Sequence, residues 1–339
     1  MNIPYRTRQN LKRTGIALLV LLLVALLLGT FWFLWLDRFV VYTRDGGAKL
    51  DMSLTDEIPV GEVAKEPEKQ EVSIYYNEGE NALSTSRELT QITGYYADRA
   101  ALRKGVDTVL SQIQALPPNT PVMVDVKNAK GAFFYSSTLS DKRDSGIDPS
   151  AMDKLIKHLA NSNTYAIAKL PALRDYEYGL HHVPDGLPTA GGYLWADAEY
   201  CYWLNPSSQG TITYLISIVT ELKNLGFDEV VFDNFYFPDT DKIVFKADKK
   251  EALATAAKTL LTACATETFA VSFVGQDPSF PLPEGRSRLY LLGTAAAQAE
   301  SIAQQTGLSD PTTRLVFLTE IHDTRFDAYC VLRPLDAAH

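Results

Sequence analysis

The stretch Gly226-Phe227-Asp228-Glu229-Val230-Val231-Phe232-Asp233-Asn234-Phe235-Tyr236-Phe237-Pro238 decides the fold of this chain. It follows an amphipathic helical pattern, continues as a short apolar strand, and leaves the carboxylate of Asp233 at the last position of that strand. The functional residues of β/α barrels lie at such strand ends. An aspartate that merely caps the next helix is the alternative, and the aromatic residues and proline that follow disfavour it.

The rest of the C-terminal part repeats the same alternation of short apolar strands and longer amphipathic segments. From about Leu89 onward roughly 250 residues remain, the usual size of one (β/α)8 domain. Strands are predicted at Ile92–Tyr96, Val122–Val126, Tyr165–Leu170, Glu229–Asp233, Phe269–Val274, Arg288–Leu292, Leu315–Thr319 and Ala328–Leu332. Helices are predicted at Ala100–Ala115, Ser150–Asn161, Gln209–Leu225, Lys249–Cys264 and Thr294–Thr306.

This order predicts an α/β fold, a (β/α)8 TIM barrel with an abbreviated second half. Prolines crowd the fifth crossover, and only a few residues are left for the seventh. An open doubly wound sheet is the structural alternative, but no Gly-x-Gly-x-x-Gly turn supports a nucleotide site. No His-Glu-x-x-His or Cys-x-x-Cys motif occurs either, so neither a metal nor a cofactor is expected.

Side-chain alternation predicts which charged residues face the barrel axis. Asp125 and Lys127 share the face opposite the valines of their strand, and Lys169 ends the next strand in the same layer as Asp233. Buried charges are costly unless they are paired, so a convergence of these groups indicates either an ion-pair cluster that fixes the barrel or a functional site. Adjacent lysines should lower the pKa of Asp125 and make it a poor general acid.

Hydrolysis of a sugar linkage at this end of the barrel would require a second carboxyl group beside Asp233. Glu320, which ends the seventh strand, is the preferred partner, while Asp277 and Asp125 are the other candidates. A turn role is the simpler explanation for Asp277 because a proline follows it. Aromatic and amide side chains nearby could bind sugar rings or hydroxyls, or the aromatic residues could form the core of a loop over the barrel; the candidates are Trp195, Trp203, Asn205, Asn234 and Tyr236.

Four blocks of the chain resemble the putative glycoside hydrolase domain family, which is related to the α-amylase-like TIM barrels; they are Ile92–Tyr96, Val124–Gly131, Tyr165–Lys169 with Asp175, and Trp203–Pro206 followed by Glu221 and Gly226–Pro238. The resemblance implies an extracytoplasmic barrel that acts on or binds a polysaccharide, with Asp233 in the place of the nucleophile. The family usually has Arg at the positions of Lys169 and Tyr236, and the fifth strand lacks an obvious acid. A catalytically inactive barrel that binds cell-envelope glycan is therefore the alternative, and a protein-interaction platform is a third.

Composition narrows the function classes further. The net charge of −9 and the pI near 5.1 argue against nucleic acid as a partner. The three cysteines, Cys201, Cys264 and Cys330, are far apart in the sequence. They are compatible with one disulfide bond or with three buried thiols.

The N-terminal part predicts a membrane anchor. Residues 14–36 are apolar and uncharged, about 23 residues that suffice to cross a hydrocarbon core as one helix. Arg and Lys residues precede this span, so residues 1–13 are expected in the cytoplasm and residues 89–339 outside it, in the cell envelope. Residues 37–88 are rich in charge and poor in periodicity, which predicts a flexible acidic stalk. A cleaved signal peptide is the alternative, but the apolar run is long and lacks a small-x-small cleavage site.

We expect the anchor to remain uncleaved. Mass spectrometry of the purified membrane protein should detect peptides from the segment before Thr14, because the basic flank stays attached to the mature chain. A mature N-terminus mapped near Asp37 would contradict this expectation.

Overall fold

The computed structural model describes residues 40–42, 48–50 and 89–335. The chain divides into two compact units, Met1–Asn77 and Glu78–His339. In the first unit a short antiparallel pair, Val40–Tyr42 with Ala48–Leu50, was not expected from the sequence, which predicts a stalk there. The predicted membrane helix and the rest of the stalk lie outside the described residues. Within the described ranges, no helix has the length and apolar character needed to cross a membrane.

The second unit contains a closed barrel of eight parallel strands. The strands are β1 (Thr93–Ala97), β2 (Val122–Asp125), β3 (Ala166–Pro171), β4 (Glu229–Asp233), β5 (Ala270–Val274), β6 (Leu289–Leu292), β7 (Leu315–Leu318) and β8 (Cys330–Pro334). Each strand pairs with its neighbour in chain order, and β8 pairs with β1 to close the ring. Gly94 is required in β1, because a Cβ atom there would lie 2.0 Å from the carbonyl oxygen of Pro121, which directly precedes β2. The structure thus confirms the TIM barrel.

Helices connect most of the strands. They are α1 (Arg99–Lys104), α2 (Val106–Gln114), α3 (Pro149–Asn161), α4 (Tyr176–His181), α5 (Gln209–Asn224), α6 (Lys249–Cys264), α7 (Ala299–Thr306) and α8 (Pro311–Arg314). The single helix predicted at Ala100–Ala115 is wrong, because Gly105 adopts a φ of 157° and divides it into α1 and α2. The β5–β6 connection contains no described helix and the β7–β8 connection only the 3-10 turn Thr324–Phe326, as the short fifth and seventh crossovers predict.

The alternation of side chains divides the apolar residues into two layers. Met123, Ile167 and Val231 belong to a cluster inside the barrel, together with residues of the other strands. Val122 and Val124, which alternate with Met123, pack in the larger cluster that the helices cover. Cys201, Cys264 and Cys330 are free, buried thiols, so the alternative without a disulfide holds. The middle of the barrel interior is therefore apolar, and the inward-facing residues at the strand ends lie beyond this apolar layer.

A buried ion pair occupies the interior at the opposite, N-terminal end of the strands. Glu229, the first residue of β4, contacts the guanidinium of Arg288 at 2.6 Å, and both side chains are at most 1% exposed. The hydroxyl groups of Tyr165 and Tyr290 donate to the same carboxylate, at 3.0 Å and 2.9 Å. Arg288 also donates to the carbonyl oxygen of Thr90. Because every charge in this network is paired, it can remain buried, and it joins distant segments of the chain.

Replacing Arg288 with Met should lower the free energy of unfolding by about 3–5 kcal/mol, because the Glu229 carboxylate would remain buried without its partner. Denaturant unfolding of the full chain measures the change. Arg325→Met is the matched control, since Arg325 forms a surface pair with Asp323 and its side chain is 56% exposed. An Arg288→Met variant as stable as the control would show that the network does not stabilise the barrel.

Candidate active site

Three charged side chains meet at the C-terminal ends of β2, β3 and β4. Asp125 and Lys169 are direct partners in the strand register, and Asp233 ends the next strand. The ammonium nitrogen of Lys169 lies 3.1 Å from Asp125 Oδ1 and 3.9 Å from Asp233 Oδ2. The two carboxylate oxygens are therefore no more than about 7 Å apart. The structure thus brings together three of the four groups that alternation placed on the axial face, Asp125, Lys169 and Asp233.

Asp125 is held tightly at the edge of the barrel interior. Its Oδ2 accepts a hydrogen bond from the backbone N–H of Arg99 at 2.8 Å, and Oδ1 faces Lys169. Burial raises the pKa of Asp125, and this effect outweighs the opposing attraction of Lys169. The expectation of a lowered pKa is therefore wrong, because the sequence shows the neighbouring lysine but not the loss of water around the carboxyl group.

Lys169 is the cation that the two carboxylates share. Its burial opposes the charged form, but the attraction of Asp125, followed by that of Asp233, raises the pKa of Lys169 overall. Its side chain is only 17% exposed. The ammonium group is therefore a fixed positive charge between the ends of β2 and β4.

Asp233 is the more accessible of the two carboxylates, with 34% of its side chain exposed against 15% for Asp125. Its Oδ1 accepts a hydrogen bond from the backbone N–H of Asn234 at 2.6 Å, and its carbonyl oxygen accepts one from Ala172 at 2.8 Å. Asn234 has a φ of 50°, in the left-handed region that asparagine tolerates better than most residues. This turn ends β4 abruptly and leaves the carboxylate facing solvent.

Asp98 is a fourth charged group at the mouth of the barrel, which the C-terminal ends of the strands form. This residue was not predicted from the sequence. It directly follows β1, and its Oδ1 accepts from the N–H of Ala101 at 2.8 Å to cap α1. Its negative charge contributes to raising the pKa of both Asp125 and Lys169. The rule that singled out Asp233, a carboxylate at the C-terminal end of a barrel strand, would also have found Asp98 if it had been extended by one residue.

Lys127 does not lie beside Asp125 at the mouth as predicted. The chain leaves β2 after Asp125, so the strand alternation no longer determines where Lys127 points. Its ammonium forms an enclosed ion pair with Asp175, which also accepts a hydrogen bond from Tyr214 at 2.8 Å. Neither Lys127 nor Asp175 has exposed side-chain surface, so Lys127 offers no atom to a substrate in this structure.

The aromatic residues predicted near Asp233 form a connected cluster. The Trp203 ring lies 5.0 Å from that of Tyr236 and 6.4 Å from that of Trp195, measured between centroids. Trp203 is only 3% exposed, whereas Trp195 and Tyr236 are half-buried. Trp203 thus forms the buried part of the cluster, and the rings of Trp195 and Tyr236 form the accessible part.

The remaining predicted residues lie outside this centre. The Oδ1 atom of Asn205 accepts from the N–H of Ser207 at 2.9 Å and stabilises a local turn. Asp277 likewise accepts from the N–H of Ser279 at 2.7 Å, so its predicted turn role is confirmed. Glu320 is exposed and lines a cavity with Tyr96 and Asp98, on the β1 side of the barrel. No set of three His, Cys, Asp or Glu residues in the described part of the chain is arranged to hold a metal ion.

Solved structures with similar folds include several glycosidases. A GH20 exo-β-N-acetylglucosaminidase mutant from Vibrio harveyi matches with a TM-score of 0.50 and 9% identity, over 72% of this chain and 50% of that chain. This chain thus spans half the length of that enzyme. Ega3 of Aspergillus fumigatus, solved with galactosamine, has a TM-score of 0.46 and 9% identity, over 76% of this chain and 97% of its own. At such identities the likeness concerns the fold alone.

A hypothetical protein from Ruminiclostridium thermocellum shows 20% identity and a TM-score of 0.45, over 52% of this chain and 96% of that chain. A comparison with curated proteins found no match. A family model described as "Putative glycosyl hydrolase domain" matches residues 92–273, which include β1 to β4 and the charged groups at their ends. Because this match covers more than half of the chain, the protein belongs to that putative glycosyl hydrolase domain family.

Proposed function

We propose that this barrel hydrolyses a glycosidic bond of a polysaccharide, with Asp233 as the nucleophile or base and Asp125 as the acid. The observation that carries the proposal is the pair of carboxyl groups at the ends of β2 and β4, on either side of Lys169 of β3 and no more than about 7 Å apart. Retaining glycosidases separate their two carboxyl groups by about 5–5.5 Å and inverting ones by about 6.5–9.5 Å. A separation of at most about 7 Å includes distances from both ranges, so the carboxyl pair is compatible with either retention or inversion.

The environments of the two carboxyl groups support this division of roles. The raised pKa of Asp125 favours a proton on its carboxyl group, which a general acid needs in order to protonate the leaving oxygen. Asp233 is more exposed and receives a backbone hydrogen bond from Asn234, which favours an oriented carboxylate. Two groups with the same chemistry are thus placed in different surroundings, as acid and base roles require.

The cationic side chain of Lys169 would serve this reaction by holding both carboxyl groups in place. Asn234, directly after Asp233, and Tyr236, two residues further on, would donate hydrogen bonds to sugar hydroxyls. The half-buried rings of Trp195 and Tyr236 offer apolar faces on which a sugar ring can stack. Glu320, the acid expected from the sequence, borders a separate cavity of the mouth and is not assigned the acid role here.

The proposed location is outside the cytoplasm, with the barrel tethered to the cell membrane by residues 14–36. The uncharged apolar run and its preceding basic residues support this part of the proposal. A polysaccharide of the cell envelope is the substrate that such a location would bring within reach. The acidic net charge agrees with a partner other than nucleic acid.

A barrel that binds glycan without cleaving it is the second candidate. One observation favours it: both oxygens of Asp125 accept hydrogen bonds, from the N–H of Arg99 and from Lys169. Donors on both oxygens stabilise the ionised carboxylate, which cannot donate a proton. The two candidates therefore differ in whether Asp125 is protonated when a sugar chain is bound.

Replacing Asp233 with Asn should lower the rate of glycan hydrolysis by about a thousandfold or more. Glycan binding should persist, because asparagine keeps the shape of the aspartate side chain and removes only its charge. Release of reducing ends from a panel of polysaccharides and peptidoglycan measures the rate for the full chain. Asp239→Asn is the control, since Asp239 is an exposed carboxylate on the same loop. If the parent protein cleaves no glycan but binds one, the binding-only candidate holds. Equal rates for parent and Asp233→Asn would remove Asp233 from the mechanism.

Replacing Lys169 with Met should raise the pKa of Asp125 further, because the attraction of Lys169 opposes the effect of burial. The titration of Asp125 can be followed by carboxyl-carbon NMR of the full chain. Lys169→Arg keeps the charge and should leave the pKa close to that of the parent. Lys130→Met, which removes a charge that binds the carbonyl of Glu199, should not change it. A pKa of Asp125 that falls in Lys169→Met would contradict the assigned role of Lys169.

A further inference from the structure

A concavity of the barrel unit lies beside the charged centre and is not used by the reaction proposed above. It has a volume of about 550 Å³ and opens between α1, α2 and the ends of β1 and β8. Pockets that bind small molecules measure about 300–1,000 Å³, so this cavity can accommodate sugar-sized groups. All of its lining residues belong to the barrel unit.

The cavity and the proposed reaction centre are bordered by one common segment of chain, at the end of β1. Tyr96 and Asp98, at the end of β1, line the cavity. The next residue, Arg99, donates its backbone N–H to Asp125 at 2.8 Å. The charge of Asp98 also acts on both Asp125 and Lys169. The cavity and the charged centre therefore lie next to each other at the C-terminal ends of the strands.

The lining combines polar and apolar groups in the manner of a carbohydrate site. The polar side chains come from different elements of the fold and are those of Tyr96, Asp98, Lys104, Thr108, Gln112 and Glu320. Alanine, valine, proline and leucine side chains form the rest of the lining. Hydroxyl groups of a sugar can bond to the former, while the C–H faces of its ring can pack against the latter. Asp98 caps α1 through Oδ1, and its carboxylate has further lone pairs with which to accept a hydrogen bond from a ligand's hydroxyl group.

We propose that this cavity is a subsite that holds a neighbouring, uncharged sugar unit of the glycan chain, with Glu320 and Asp98 accepting hydrogen bonds from its hydroxyl groups. The inference rests on the proposed carbohydrate-directed function of the barrel. Two carboxylates face one ammonium group, that of Lys104, so the cavity carries excess negative charge. Acidic sugars would be repelled by this charge, which selects against uronic acid units.

The test measures binding in the Asp233→Asn background, so that turnover does not consume the probe. Calorimetric titration of the full chain uses neutral tetrasaccharides of glucose, mannose, galactose and N-acetylglucosamine, with tetragalacturonate as the acidic probe. Thr108→Trp adds bulk from α2 into the cavity and should weaken the binding of the best neutral probe by about tenfold or more. Gln112→Trp, from the same helix, is a second blocking variant in case the first does not fold.

Ser111→Trp is the matched control, because Ser111 is exposed on α2 and is not part of the cavity lining. It should bind like the parent, and tetragalacturonate should bind about tenfold more weakly than the best neutral probe. Unchanged binding in the blocking variants, absence of binding by every neutral probe, or preference for the acidic probe would overturn the subsite. If the parent protein cleaves no glycan and the Thr108→Trp change still weakens binding, hydrolysis is refuted and the subsite is retained.

Discussion

The parallel register of β2, β3 and β4 is the constraint on which the candidate site depends. Each backbone hydrogen bond of the ladder fixes the height of one strand relative to the next, and the ring closes only when all eight agree. This register sets Asp125 beside Lys169 and brings Asp233 within reach of the same ammonium group. Charges that are more than a hundred residues apart in the chain thereby share one cation.

Strand β4 carries an enclosed charge and an accessible charge on a single face. Glu229 and Asp233 both point inward, at opposite ends of the strand, with the buried Val231 between them. Glu229 is fully enclosed and paired with Arg288, whereas Asp233 is partly exposed. Paired and enclosed charge holds the barrel together, and accessible charge at the mouth is free to meet a ligand. Carboxylates at the two ends of one strand thus have two different environments, distinguished by access to water.

Local patterns in the sequence correctly indicate much of this arrangement. The period of two along the strands identifies Asp125, Lys169 and Asp233 as axial, because alternation is a property of any extended chain. The pattern fails where a single backbone position or a strand end decides the outcome. Gly105 divides a helix that appears continuous by periodicity, and Lys127 turns away from the axis once the strand has ended. Both failures are local departures from a regular period.

The sequence by itself determined the barrel, the inward faces of its strands and the position of Asp233 at a strand end. These features follow from the spacing of apolar and polar residues that are near one another in the chain. Only the tertiary structure decided the raised pKa of Asp125 and the cavity beside Glu320. Each of these depends on groups far apart in the chain. The pKa of Asp125 reflects how much water the closed barrel excludes, and a cavity exists only between elements whose packing is complete.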